Sequence, residues 1–289
     1  MITHRDMQPI PLSNLVQRIA AFSDGAIGGN PAGVLITAQH PSEPEMKAIA
    51  ADVGFSETAF AAPIGDAFRV RYFSPASEVP FCGHATIALG AALALERGNG
   101  TFKLILNDAA ITVDGHQQDG IIAAALQSPP THSTAAAPPL VAAALHLLGY
   151  TPDDLDPNLP PAYIHGGANH LLLGLKRRDT LAAMAYDLEA GRVLMERAKI
   201  ITILLAYAET PQRFHTRNPF ASGGVYEDPA TGAATAALGG YLRDLGWPHQ
   251  GAIDVVQGED MGMRSLLRAE ISPIPGSSIR ISGTARLMA

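Results

Sequence analysis

The sequence predicts an α+β protein of two pseudo-symmetric domains, each a mixed β-sheet or barrel wrapped around a central apolar helix. One helix is predicted from Gly83, in a stretch that stays almost wholly apolar to Leu95. A helix that is apolar on every side cannot lie on a surface, so its own sheet must enclose it. A second such helix is predicted from Gly232, where "GAATAALGGYL" matches "GHATIALGAAL" at seven of eleven positions.

A second pair of similar stretches supports the two halves. "GGNPAGVL" around Asn30 resembles "GGANHLLL" around Asn169, at a separation of 139 residues, against 149 for the helices. Two matches in the same order and at a similar offset indicate an ancient duplication.

The elements of the first half follow from local patterns. "PSEPEMKAIAADVG" is a predicted helix, because its prolines lie at the start, its apolar residues have helical spacing and Gly54 closes it. Alternating or apolar runs predict strands in "LVQRIAAF", "SETAFAAP", "AFRVRYFSP", "TFKLILN", "AAITVDG" and "GIIAAALQ".

Prolines and small residues in the middle of the chain predict a linker at 129–137. The expected N-terminal half is 15–128, joined by the last strand at 279–289, and the C-terminal half is 138–278. The first fourteen residues are expected to form a loose leader.

Composition excludes several classes of function. The 289 residues are 47% hydrophobic and carry a net charge of −7, without a basic run that could follow a phosphate backbone, so no nucleic-acid partner is expected. Apolar stretches fall short of the ~20 residues that span a bilayer, and the start lacks an apolar signal core, so we expect a cytoplasmic protein without membrane contact. The single cysteine, Cys82, permits neither an internal disulfide nor a thiolate metal cluster.

The polar residues at the starts of the two helices are candidates for a binding site. A helix N-terminus presents unpaired N–H groups and a partial positive charge, which attract a carboxylate or phosphate. His84 follows Gly83 directly, and Asp228 precedes Gly232 in "EDPATG". Each also has a structural interpretation, since His84 could be a capping residue and Asp-Pro commonly begins a turn.

Glu57, in "GFSETAF", is the third candidate. Most glutamates in such turns are simply solvated. A carboxylate flanked by Phe55 and Phe60 can instead be partly desolvated, which suits proton transfer.

Neither a nucleotide nor a metal site is predicted. "GAIGGNPAG" does not fit the spacing GxGxxG, and Pro31 interrupts the helix that a dinucleotide-binding loop requires. His165 and His170 are five residues apart, without a carboxylate or cysteine nearby, which is a poor metal-ligand set.

Taken in order, four motifs resemble the phenazine-biosynthesis isomerase (PhzF-like) family: "GGNPAGV", "SETAF", "RYFSP…EVPFCGHAT" and "EDPATGAA". "QGEDMGMR" and "ISGTARL" look like the closing strands of that family, so the resemblance covers nearly the whole chain. It implies the diaminopimelate-epimerase-like fold, with the active site in the cleft between two pseudo-symmetric domains.

The resemblance also implies roles for individual residues. Glu57 would be the general acid/base, and His84 and Asp228 would complete the catalytic set. Substrate-binding positions would be Asn30, Ser56, Gly83, Gly232 and Ala233. The family implies a small carboxylate-bearing substrate, no metal or organic cofactor, and a homodimer. Superfamily racemases use a pair of cysteines, which a chain with one cysteine cannot supply.

One position departs from the family pattern. The motif commonly continues "TGS", whereas Ala233 stands here in place of the serine. The backbone donor survives this change, but a side-chain contact to substrate is lost. Two hypotheses follow: an isomerase that shifts a proton on a small carboxylate, and a catalytically inactive small-molecule-binding protein with the same fold. Nucleotide-dependent oxidoreduction is a third possibility, which co-purified cofactor would support.

Overall fold

The computed structural model describes residues 12–289 of the chain. Of the expected leader, residues 1–11 lie outside the described part, and Leu12–Leu15 form a turn of 3-10 helix. The helices are α1 Glu43–Val53, α2 Gly83–Arg97, α3 Pro138–Leu148, α4 Arg178–Ala182, α5 Leu188–Ala198 and α6 Gly232–Leu245. The strands are β1 Gln17–Ala21, β2 Asn30–Ile36, β3 Thr58–Ile64, β4 Ala67–Phe73, β5 Glu78–Val79, β6 Gly100–Ile105, β7 Ala110–Gln118, β8 Ile121–Gln127, β9 His132–Ala135, β10 Ala162–His165, β11 Asn169–Gly174, β12 Thr202–Thr210, β13 Arg213–Arg217, β14 Pro219–Phe220, β15 Val225–Glu227, β16 Ala252–Gln257, β17 Ser265–Ile271 and β18 Ile279–Leu287.

The first half is a closed eight-stranded barrel around α2. Its strands run in the order β1, β2, β3, β4, β6, β7, β8 and β18, and β18 closes the ring by pairing with β1. Every residue of α2 from His84 to Ala94 is buried. Helix and barrel wall meet backbone to backbone at Gly90 and Gly115, where a Cβ on Gly115 would overlap the Gly90 carbonyl. The predicted all-round apolar helix enclosed by its own sheet is confirmed.

The second half repeats the same order of strand pairings around α6. Antiparallel β10 and β11 correspond to β1 and β2, and the parallel pair β11 and β12 corresponds to β2 and β3. The later pairs correspond as well, with β13 parallel to β16 as β4 is to β6. Residues Ala234–Leu242 of α6 are buried. The predicted α+β fold of two pseudo-symmetric halves is confirmed.

The two halves exchange strands where they meet. Strand β18 of the first barrel pairs with β17 of the second half through 279–282, with β8 through 280–285 and with β1 through 285–287. Strand β8 pairs with β18. After β8 the chain crosses to the second half, where the N–H of Thr131 donates to the carbonyl of Gly276 and β9 pairs with β10. Within the segment 129–137, expected as a linker, four residues therefore form a strand of the sheet.

The remaining helices cover the outer faces of the sheet. Helix α1 ends at Gly54 in the left-handed conformation, as its sequence predicts, and it begins with a capping box between Ser42 and Glu45. It packs on a cluster that includes Phe60 and Phe73, while α3 and α5 cover a separate cluster of the second half. Within residues 12–289, every helix is too short or too polar to cross a bilayer.

Candidate active site

A cavity of about 840 Å3 lies between the two halves and is lined by residues of both. All eight residues singled out in the sequence line this cavity. They are Asn30, Ser56, Glu57, Gly83, His84, Asp228, Gly232 and Ala233. The structure brings them to one place, and their roles stay predictions.

The start of α2 is held rigidly by buried hydroxyl groups. Thr86 Oγ1 donates to the carbonyl of Cys82 at 2.7 Å, so its own acceptor position is free for Tyr72, whose hydroxyl lies 2.7 Å away. Thr86 and Tyr72 are almost completely buried. These contacts explain the polar residue inside an apolar helix, because they fix the turn that presents Cys82 and His84 to the cavity.

Glu57 reaches the same point from the neighbouring strand. Its carbonyl accepts the N–H of Gly33 at 3.2 Å, which ties the residue to the barrel edge directly before β3. The Glu57 side chain is 16% exposed, and its Oε2 lies 3.5 Å from Nε2 of His84. Ser56 Oγ lies 3.4 Å from the same nitrogen. The carboxylate therefore points into the cavity rather than into bulk solvent.

Cys82 contacts the other side of the imidazole. Its Sγ lies 3.4 Å from Nδ1 of His84. Burial, and then the negative charge of Glu57, raise the pKa of the Cys82 thiol well above its usual value. At neutral pH this group is therefore a thiol and not a thiolate.

Asp228 comes from the second half and is held by a network across the cleft. Its Oδ1 accepts from Asn30 Nδ2 at 2.8 Å, and its Oδ2 accepts from Thr231 Oγ1 at 2.6 Å. Gln257 donates to the carbonyl of Asp228 and to Thr231 Oγ1. Desolvation, with a smaller contribution from the charge of Glu57, raises the pKa of Asp228 despite the opposing effects of His84 and of the hydrogen bonds from Thr231 and Asn30. The link from Asn30 to Asp228 holds the two halves together beside the cavity.

The N-termini of α2 and α6 open into this one cavity. Gly83 and His84 line it from α2, and Gly232 and Ala233 line it from α6. Among the described residues, neither Cys82 nor Thr231, the N-cap residues of the two helices, makes a side-chain capping hydrogen bond. Two partial positive charges at one place favour an anion.

The wall supplied by the second half contains residues that the sequence did not identify as a site. His165, Asn169, His170, Lys199 and Thr202 line the cavity there. The similarity of "GGANH" to the stretch around Asn30 was the signal that could have indicated Asn169. Burial lowers the pKa of His170 to about 3.

The glycine-rich stretch before Asn30 does not form a dinucleotide-binding loop. After Gly28 and Gly29, both with positive φ, the chain enters strand β2 at Asn30 and not a helix. A pyrophosphate site needs the helix N-terminus at that position. The expectation against a nucleotide site at this turn agrees with the backbone.

Comparisons with known proteins agree with the motif resemblance. The family model for phenazine biosynthesis-like proteins, PhzC-PhzF, matches residues 19–289. The uncharacterized isomerase YddE of Escherichia coli K12 is 30% identical, over 94% of this chain and 96% of the relative. Trans-2,3-dihydro-3-hydroxyanthranilate isomerase of Pseudomonas chlororaphis is 30% identical, over 92% of this chain and 94% of the relative.

A solved structure shares the fold. The phenazine biosynthesis protein of the PhzF family from Bacillus anthracis superimposes with a TM-score of 0.83 at 24% identity, over 95% of this chain and 96% of that one. The predicted membership is therefore confirmed. The chain belongs to the phenazine biosynthesis-like (PhzC-PhzF) family of isomerases.

Proposed function

We propose that the protein catalyses a proton shift from one carbon to another of a small, carboxylate-bearing cyclic molecule, with Glu57 as the general acid/base. The observation that carries this proposal is the position of the Glu57 carboxylate. It lies 3.5 Å from His84, in the same cavity as the N-termini of α2 and α6. The relative from Pseudomonas chlororaphis is named as an isomerase of trans-2,3-dihydro-3-hydroxyanthranilate, a cyclic carboxylate of this kind.

The helix N-termini would hold the substrate carboxylate. Their N–H groups, at Gly83–His84 and Gly232–Ala233, line the cavity from opposite halves. An anion between them would face two partial positive charges, which offsets the cost of bringing it near Glu57 and Asp228. The substrate would then be anchored from both halves with its ring toward Glu57.

The reaction needs one group that both takes and returns a proton. Glu57 removes a proton from one ring carbon, and the C–H electrons move into the ring as the double bonds shift. The carboxylic acid then protonates a second carbon, so the product is an isomer and no electrons enter or leave. His84, in contact with Glu57, and Asp228 would orient the substrate's polar groups. A general acid/base of this kind contributes roughly 10²–10⁴-fold to a rate.

Glu57→Gln tests this role, because it keeps the shape of the side chain and removes its basicity. The assay incubates trans-2,3-dihydro-3-hydroxyanthranilate with enzyme in D2O and follows deuterium incorporation by NMR. The variant should lose exchange by at least about 100-fold. It should retain stabilisation by ligand in a thermal melt. Glu96→Gln, the same change at the far, exposed end of α2, is the matched control and should exchange as the wild type does.

Full exchange in Glu57→Gln would refute the proposed role. A wild-type protein that is stabilised by cyclic carboxylates but exchanges none of them would favour the alternative, a binding protein without turnover. Ala233 stands where the family commonly has a serine, and the lost side-chain contact to substrate is the reason to test for binding without turnover.

A further inference from the structure

We propose that His165 determines which molecules the cavity accepts, because its Nε2 atom accepts a hydrogen bond from a hydroxyl or amino group of the ligand. That this ligand is the substrate of an isomerase rests on the proposed function, whereas the binding does not. His165 lines the cavity from the end of β10 and belongs to the second half, while Glu57 belongs to the first.

Hydrogen bonds of Asn169 assign the proton on the imidazole of His165. Asn169 Nδ2 donates to the backbone carbonyl of Lys199 at 3.3 Å, and a carbonyl can only accept, so the amide nitrogen lies on that side. Asn169 Oδ1 therefore faces Nδ1 of His165, at a distance of 2.7 Å. Since Oδ1 is an acceptor, Nδ1 must be the donor. In the neutral imidazole the lone pair is then on Nε2.

The Nε2 atom of His165 is an acceptor that the protein itself does not use. Within residues 12–289, the side-chain hydrogen bond of this imidazole is the one from Nδ1. Nε2 is not one of the buried atoms that lack a partner, so it is open to solvent. Because His165 lines the cavity, the free lone pair is available to a ligand there.

Packing holds the imidazole of His165 in this orientation. His132, opposite it on β9, stacks on the ring with centroids 4.6 Å apart and planes 20° apart. Gly166, the next residue, lies against the start of α6, where a Cβ would come within 2.6 Å of the nitrogen of Ala237 and 2.9 Å of the carbonyl oxygen of Ala233. A group that is already ordered loses little entropy on binding, so its hydrogen bond contributes to affinity.

His170, on the neighbouring strand β11, is not suited to the same role. Its Nδ1 lies 2.7 Å from Thr202 Oγ1. Its Nε2 also lacks a partner, but that atom is buried and closed to solvent. A ligand would have to displace the wall of the cavity to reach it, whereas Nε2 of His165 is already open.

The cavity has room for a ligand that extends from Glu57 to this wall. Its volume of about 840 Å3 lies in the upper part of the ~300–1,000 Å3 range of small-molecule sites. Ile201 lines the cavity next to Asn169, to whose carbonyl it donates its N–H at 2.8 Å, and it is 43% exposed. An apolar frame that carries one hydroxyl or amino group therefore matches this wall. The substrate class is a cyclic carboxylate with such a donor away from the reacting carbon.

A series of benzoates tests the acceptor without any assay of turnover. Each compound carries one hydroxyl, amino, methyl or second carboxylate group at the meta or para position, and calorimetry gives its Kd. The preference for a donor is the Kd of the methyl compound divided by the Kd of the hydroxyl or amino compound. His165→Phe keeps a stacked ring and removes the acceptor. The preference should therefore fall by roughly 2- to 12-fold, which corresponds to one hydrogen bond.

His132→Phe is the matched control, because it makes the same change in the other ring of the stack, and His132 does not line the cavity. It should leave the preference as in the wild type. His165→Gln places an amide oxygen near the position of Nε2 and should retain the preference too.

A preference that survives His165→Phe, or that His132→Phe removes equally, would overturn the proposal. A wild type that binds the benzoates without a preference, or does not bind them, would overturn it as well. Tighter binding of the compounds with a second carboxylate would indicate an anion site instead and would also overturn it.

NMR spectra of protein with nitrogen-labelled histidine give a second readout. At alkaline pH the signals of His165, identified by their loss in His165→Phe, should show the proton on Nδ1, and a hydroxybenzoate should shift the Nε2 resonance. A proton on Nε2 in the ligand-free wild type would overturn the proposal. Both measurements depend on binding alone, so a failure of the proposed proton shift would appear only in the deuterium-exchange assay.

Discussion

Replacing Gly83 by alanine should separate substrate binding from stability at the mouth of α2. Gly83 lines the cavity, and a Cβ at this position would have no heavy atom within 4 Å. The added methyl group would therefore project into open space in front of the helix N-terminus. That space is where we propose that the substrate carboxylate lies.

The magnitude follows from the hydrogen bond that the methyl group displaces. A hydrogen bond to a charged group contributes about 1.5–3 kcal/mol. At 1.4 kcal/mol for each factor of ten, kcat/KM should fall by roughly 10- to 150-fold. Gly83 does not have a positive φ, so the protein should unfold at the same or a slightly higher temperature, because alanine restricts the unfolded chain by about 0.4–1 kcal/mol.

The assay compares kcat/KM and thermal melts of Gly83→Ala and Gly232→Ala. A Cβ on Gly232 would lie 3.6 Å from Phe22 Cζ and 3.8 Å from Ile281 Cγ2, in ordinary contact with the core and not in front of the N–H groups. The variant at Gly232 should therefore lose less activity than the variant at Gly83. Equal losses in both, or an unimpaired Gly83→Ala, would refute the position given to the carboxylate.

Three further changes test the packing and charge of the structure. Gly115→Ala should destabilise the protein by at least ~1–3 kcal/mol in urea unfolding, since the new Cβ would overlap the Gly90 carbonyl; unchanged stability would contradict the close approach of α2 to β7. Arg217→Met should lower the free energy of unfolding by about 3–5 kcal/mol in the same assay, because it leaves the charge of Glu227 buried without a partner. The side chains of Arg217 and Glu227 are only 8% and 3% exposed. An unchanged free energy of unfolding would contradict the pairing. Burial raises the pKa of Asp228 in the folded protein above its ordinary value of 3.8. The contribution of this carboxyl to stability is therefore fully present below pH 3.8 and is lost as the pH rises through the pKa of the folded state. The melting temperature of Asp228→Asn relative to the wild type should therefore rise between about pH 4 and pH 7, and a difference that is constant over this range would contradict the raised pKa.

Local patterns in the sequence predicted most of what positions the site. Helix α1 was recognisable from its helical spacing of apolar residues and its closing Gly54, and helix α2 from an almost wholly apolar run that begins at Gly83. The resemblance of four motifs then identified eight of the residues that line the cavity. These features depend on neighbours in the chain, which a single sequence displays directly.

Contacts between distant segments could not be predicted in the same way. The meeting of Glu57 with Cys82 depends on how β3 and α2 pack, 25 residues apart in the chain. The network of Asp228 also includes Gln257, 29 residues away, and nothing in the motif "QGEDMGMR" that begins with Gln257 indicates a contact with Asp228. The segment 129–137 has the composition of a linker, yet pairing of His132–Ala135 with β10 makes it a strand. In this segment, pairing with a strand that is distant in the sequence overrides the local preference for a loop.

The strand exchange sets the time at which this molecule can be completed during synthesis. The first barrel lacks its eighth strand, β18, until residues 279–287 have left the ribosome, although its other seven strands are made before residue 128. Until then β1 and β8 present open hydrogen-bonding edges, which are surfaces prone to aggregation. A nascent chain would therefore need these two edges protected while residues 128–278 are being synthesised.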